Sequence, residues 1–140
     1  MAAAAHDLPP RFAVGAAASG DRITVSGESA DTADDPIVSG TALRMMASVY
    51  LAGADPTAPL ASPLLADLRG LPPLLVQVGT REALLDDARR VAARAHEHGV
   101  DVTLHEFDGV VHMWIVIGPD IPESQEAFAE VGAFIRAHLV

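Results

Sequence analysis

Just past two apolar stretches, this chain places side chains that can move a proton. "VGTREALLDD" offers Glu82, Asp86 and Asp87, and "FDGVVHMW" offers His112. A carboxylate that accepts the Nδ1–H of a histidine fixes the ring's tautomer and leaves Nε2 free to take a proton. An acid from one loop and an imidazole from the next would therefore make the supporting half of a serine–histidine–acid relay. The same residues fit a plainer reading. Glu82 is then an acid in the first turn of a helix, where the dipole favours it. Asp86 and Asp87 form a solvated face or pair with Arg89 and Arg90, and His112 is a packed imidazole with one ring hydrogen bond.

The elements that must position these groups are legible in the second half of the chain. "PLLVQV" is a nearly continuous apolar run, the pattern of a strand buried on both faces. Leu84, Leu85, Ala88, Val91, Ala92 and Ala95 then repeat at helical spacing, and Gly99 stops that helix. "VDVTLHEF" is a second strand. "IPESQEAFAEVGAFIRAHL" is a closing amphipathic helix, with Ala127, Phe128, Val131, Phe134 and Ile135 on one side and acids in its N-terminal half. Strand, helix, strand and helix with short joints predict an α/β fold with a parallel sheet. In such a sheet, function gathers beyond the carboxyl ends of the strands, where the acids and His112 lie.

The first half is richer in Ala, Gly, Ser, Asp and Pro. "MAAAAHDLPP" reads as extended or disordered. Short strands are expected around Phe12–Ala17 and Arg22–Val25. "SADTADDPIVSG" reads as a loop, because Pro36 disfavours a helix through Asp35. A helix follows over Thr41–Ala52, capped by Ser39 or Thr41 and ended by Gly53. A proline-punctuated connection leads to the first confident strand.

Composition excludes several functions. The 140 residues suit one domain, and half of them are apolar, enough for a core. A net charge of −10 without a Lys/Arg cluster argues against nucleic-acid binding. The absence of cysteine removes disulfides, thiolate metal sites and a cysteine nucleophile. No window is long and apolar enough to span a membrane, and the N-terminus lacks the pattern of a signal peptide, so a cytoplasmic protein is expected. His96 and His98 lie two apart on a helix and point apart, and His105 has no second ligand nearby. All three are read as surface histidines, with no metal and no cofactor. Ser29 and Ser62 are read as loop serines, and Met113 and Trp114 as wall or core residues.

Several separated blocks carry a family resemblance: "YLAGADP", "ASPL", "LPPLLVQVG", "LLDDA" and "HMW", in that order. Residues 21–140 resemble the C-terminal portion of hormone-sensitive-lipase-like α/β-hydrolases, the bacterial carboxylesterases of the "hydrolase fold 3" group. Residues 1–20 do not match. The resemblance implies a partial α/β-hydrolase fold, hydrolysis of short-chain carboxylic esters, and a small ester as substrate. In "EALLD" it implies Glu82 as the acid that orients His112, with Asp86 as the second carboxylate, and His112 as general base and acid. The family's G-x-S-x-G nucleophile and HGG-type oxyanion motif are absent. Ser29 in "VSGESAD" is followed two residues later by Asp31, not glycine. The expectation is a truncated esterase, inactive alone and prone to self-association. The rival is a non-catalytic α/β fragment that serves as a binding or assembly module.

Overall fold

The structure, a computed structural model, describes residues 29–59 and 61–138. The N-terminal stretch read as extended or disordered and the strands expected near Phe12–Ala17 and Arg22–Val25 lie outside those residues. The described elements are helices α1 (Ser29–Thr32) and α2 (Gly40–Leu51), a 3-10 turn at Pro63–Leu65, strand β1 (Leu74–Gly79), helix α3 (Leu85–Glu97), strand β2 (Val102–Phe107), and helices α4 (Trp114–Ile117) and α5 (Pro122–His138).

β1 and β2 pair in parallel, with Leu74 opposite Val102 and Gly79 opposite Phe107. Side chains alternate across a strand, so each face of the sheet draws on every second residue. On one face Glu106 receives a two-pronged ion pair from Arg89 of α3, with nitrogen–oxygen distances of 2.8 and 2.7 Å. On the other, Gln77 and His105 both reach Glu130 of α5, at 2.6 and 3.0 Å. Two helices therefore clothe opposite faces of one parallel pair. Phe107, Val110, Trp114 and Ala127 form one small core cluster, and Leu68, Ala95 and Val100 form another.

The local reasons for these elements are those the residues suggest. Ser39 caps α2 by accepting from the Ala42 N–H at 3.2 Å. Gly99, at φ 77°, ends α3, and Val100 donates back to the Ala95 carbonyl. Other expectations are corrected. Residues 29–32 form a helical turn rather than loop, closed by the Ala33 N–H on the Ser29 carbonyl at 2.9 Å. β1 is half-buried from Leu74 to Gln77 and fully buried only at Val78 and Gly79, since polar Gln77 meets α5. Phe128 is 53 % exposed, because α5 turns Ala127 and Ser124 inward instead. His98 and His105 are not simple surface histidines. His98 Nδ1 accepts the Leu68 N–H at 2.9 Å, and His105 stacks on Phe107.

Asp87 pairs with Arg90 at 3.7 Å, one of the two readings its surroundings allowed. It is 3 % exposed, not part of a solvated face. Burial pushes its carboxyl up to about 7, against the opposing charge of Arg90 and with help from Asp86.

A Cβ at Gly79 would fall within contact distance of the Val110 carbonyl oxygen and 2.9 Å from Val110 Cγ2. Gly79→Ala should therefore destabilise the fold by about 1–3 kcal/mol, read from denaturant midpoints. For Asp87, the folded chain keeps a proton that the unfolded chain releases between its ordinary value of 3.8 and about 7. Its contribution to stability is full below that window and falls as pH rises through it. Denaturant titrations at about pH 5 and about pH 8 should show a drop that Asp87→Asn makes smaller.

Candidate active site

The site grows from two tight turns at adjacent strand ends. After β1, the Glu82 N–H bonds the Gly79 carbonyl at 3.1 Å, and Leu85 N–H bonds the Glu82 carbonyl at 3.3 Å. α3 starts only at Leu85, so Glu82 stands in the turn before the helix and not in its first turn. This turn folds the Glu82 side chain back over the end of its own strand. The Gly79 N–H donates to Oε1 at 2.7 Å.

After β2, Gly109 takes φ 71° and Val110 is buried as an anchor. Met113 then adopts φ 62°, a conformation that costs a non-glycine residue about 1 kcal/mol or more. That bend opens α4. On one side of it Trp114 enters the core, 5.4 Å from the Phe107 ring. On the other side His112 turns toward β1. Met113 itself is 45 % exposed, so only Trp114 of that pair is a core residue.

The structure brings Glu82 and His112 together. Nδ1 of His112 lies 2.7 Å from Oε2 of Glu82. Glu82 is 4 % exposed, while the His112 side chain keeps 30 % of its surface. With the Glu82 carboxylate as acceptor, the tautomer assigned to the ring is the one with its proton on Nδ1. Nε2 then carries the lone pair, and among the described residues nothing hydrogen-bonds it. Such a ring can take a proton from a hydroxyl and return it to a leaving group.

Asp86 is not brought to the ring. Its Oδ2 accepts the Ser29 N–H at 2.9 Å, and its own N–H donates to Ser29 Oγ at 3.1 Å. Ser29 Oγ in turn donates to the Ala83 carbonyl at 3.1 Å. Asp86 and Ser29 thus bind α1 to the start of α3, and Ser29 is not aimed at His112. Ser62 is fully buried at the start of the 3-10 turn rather than in an open loop.

Sequence reasoning missed two supports of the acid turn. Asp35 folds onto the Ile37 and Val38 N–H groups and also accepts the Ala83 N–H, at 3.1 Å through Oδ2. An Asp before a Pro is a turn signal that could have suggested the first role but not the second. Arg81 pairs with Asp34 at 2.6 Å, locking the same segment from outside. A shallow groove of about 360 Å³ runs beside this seam between Ser29, Asp34, Arg81 and Arg89. It borders Glu82 but not His112. The described residues contain no group of three or more candidate metal ligands.

Comparison with known proteins identifies the family. Residues 1–116 match the sequence profile of a family described as alpha/beta hydrolase fold. An acetyl-hydrolase of Streptomyces hygroscopicus is 48 % identical over 106 residues, which is 76 % of this chain and 33 % of that protein. An esterase of Acinetobacter venetianus is 37 % identical over 101 residues, 71 % of this chain and 33 % of its own length. The crystal structure of an esterase from the bacterial hormone-sensitive lipase family superposes with a TM-score of 0.73 at 49 % identity, covering 76 % of this chain and 36 % of that one. The chain thus spans about a third of the length of the relatives it matches. With a parallel α/β core and close likeness to hormone-sensitive-lipase-family esterases, the chain belongs to the α/β-hydrolase fold family.

Proposed function

We propose that this chain carries the acid–histidine support of a serine-type carboxylic ester hydrolase, with Glu82 as the acid and His112 as general base and acid. The observation that carries the reading is the 2.7 Å contact between Glu82 Oε2 and His112 Nδ1. In the reaction, Nε2 of His112 takes the proton of an attacking serine hydroxyl. The ester's alkoxide then leaves with that proton, and an acyl-enzyme remains. Water repeats the sequence and frees the acid. Glu82 stabilises the imidazolium formed at each stage. Short acyl esters are the proposed substrate class, in line with the acetyl-hydrolase among the relatives. Asp86 serves this site only by bracing the turn that holds Glu82.

The serine and the oxyanion donors are not identified in these 140 residues, which contain neither G-x-S-x-G nor an HGG motif. That observation favours a second reading, a binding or assembly module that has kept the hydrolase scaffold. One pair of proteins separates the two. The chain alone should show no burst on p-nitrophenyl acetate and no covalent label from a fluorophosphonate. Any slow cleavage by the imidazole should vanish in His112→Ala. A chimera in which this chain replaces the matching third of the Streptomyces acetyl-hydrolase should turn over the ester, and His112→Ala should then lower kcat by about 10³-fold or more. A folded but inactive chimera would favour the module. A labelled serine in the chain alone would overturn the assignment of roles.

Self-association and a cytoplasmic location belong to the same proposal. Among the described residues β1 pairs only with β2, which leaves backbone donors and acceptors along an edge. Met45, Met46, Val49 and Tyr50 of α2 are each more than half exposed. Apolar surface of this kind drives association. Among the described residues no helix is long and apolar enough to cross a membrane. Light scattering over a dilution series should give a mass that rises with concentration. A constant monomer mass with a cooperative melt would refute association.

A further inference from the structure

The acid and the histidine stand on different loops, so something must set the distance between those loops. The strands do this as far as Gly79 and Phe107, the last pair in register. Beyond them the backbone adds two bonds, from the Thr80 N–H to the Phe107 carbonyl at 2.9 Å and from the Arg81 N–H to the Val110 carbonyl at 3.2 Å. One side chain completes the lacing. Thr80 Oγ1 accepts the Gly109 N–H at 2.9 Å and donates to Asp108 Oδ1 at 3.1 Å. A hydroxyl is the smallest group that can accept and donate at one atom. It does so here at Gly109, whose φ of 71° makes the turn that leads to His112.

We infer that Thr80, acting through Asp108 and Gly109, is a positioning residue that holds the histidine loop in register with the acid turn. It lies two residues before Glu82 and bonds the chain three residues before His112. It touches neither ring nor carboxylate, and its effect runs through loop geometry alone. The inference rests on the Glu82–His112 pairing proposed above.

The test uses the full chain with ¹⁵N-labelled histidine. The readout is the ratio of the two neutral tautomers of His112, taken from ring nitrogen shifts. Amide exchange in β1 and β2 is followed in the same samples. Thr80→Val, which keeps the shape and removes the hydroxyl, should cut the Nδ1–H to Nε2–H ratio about fivefold, the size of one lost hydrogen bond. Strand amides should hold their protection, and Thr80→Ser should restore the ratio. Asp108→Ala removes one partner of the hydroxyl and should give a smaller change in the same direction, which keeps the test open if Thr80→Val folds poorly. An unchanged ratio in both variants overturns the assignment, as does a ratio that moves only in step with loss of strand protection. Glu82→Gln separates the two levels. If it changes the ratio and Thr80→Val does not, Thr80 alone is misassigned. If Glu82→Gln also leaves the ratio unchanged, the pairing itself fails and the inference falls with it.

Discussion

A carboxylate removed from water must be given partners, and Glu82 shows how much structure that requires. An ionised acid buried without hydrogen bonds would be strongly destabilising. Each oxygen of Glu82 therefore has its own donor: the Gly79 N–H for Oε1 and the His112 ring for Oε2. The first bond depends on a turn that folds the side chain back by three residues. The second depends on a loop from a different strand. Because the carboxylate can only accept, its burial also selects the tautomer of His112. Burial, turn geometry and ring chemistry are thus one constraint.

That constraint propagates into the sheet. The two loops meet because β1 and β2 run in parallel and end at the same level. Gly79 has no side chain where the Val110 carbonyl comes in, so the backbones can approach closely. α3 and α5 hold the pair from opposite faces through charged and polar contacts as well as through small apolar clusters. Arg89 with Glu106 and Glu130 with Gln77 and His105 are partly exposed, so each adds modest energy. Their effect is to limit how the helices sit on a sheet of two strands. On the far side of the acid turn, Ser29, Asp34 and Asp35 brace the same few residues from a segment some fifty positions earlier.

α2 is built differently. Its cap and its left-handed end at Ala52 and Gly53 are complete, yet Met45, Met46, Val49 and Tyr50 remain in solvent. Helix formation is local, while coverage of a helix face requires neighbours.

Local and pairwise features were legible in the residues. Apolar runs and helical spacing are periodic signals, so both strands, α2, α3 and α5 could be read to within a few positions. The blocks around "LLDDA" and "HMW" pointed to Glu82 and His112. Long-range partners carry no such signal. Nothing in "SADTADDP" says that Asp35 accepts the Ala83 N–H, that Ser29 captures Asp86, or that residues 29–32 form a helical turn. Asp87 read as part of a solvated face or as a partner for a nearby arginine; the pairing with Arg90 is local, and only packing buries the carboxyl. Thr80 simply follows the first apolar run in the sequence. Its role exists only once Asp108 and Gly109 arrive from the next strand. Periodicity and turn chemistry act over a few residues and survive in the sequence. The resemblance singled out Glu82 among three nearby carboxylates, but the 2.7 Å contact with His112 and the burial of the acid depend on where two loops come to rest, and tertiary structure alone determines that.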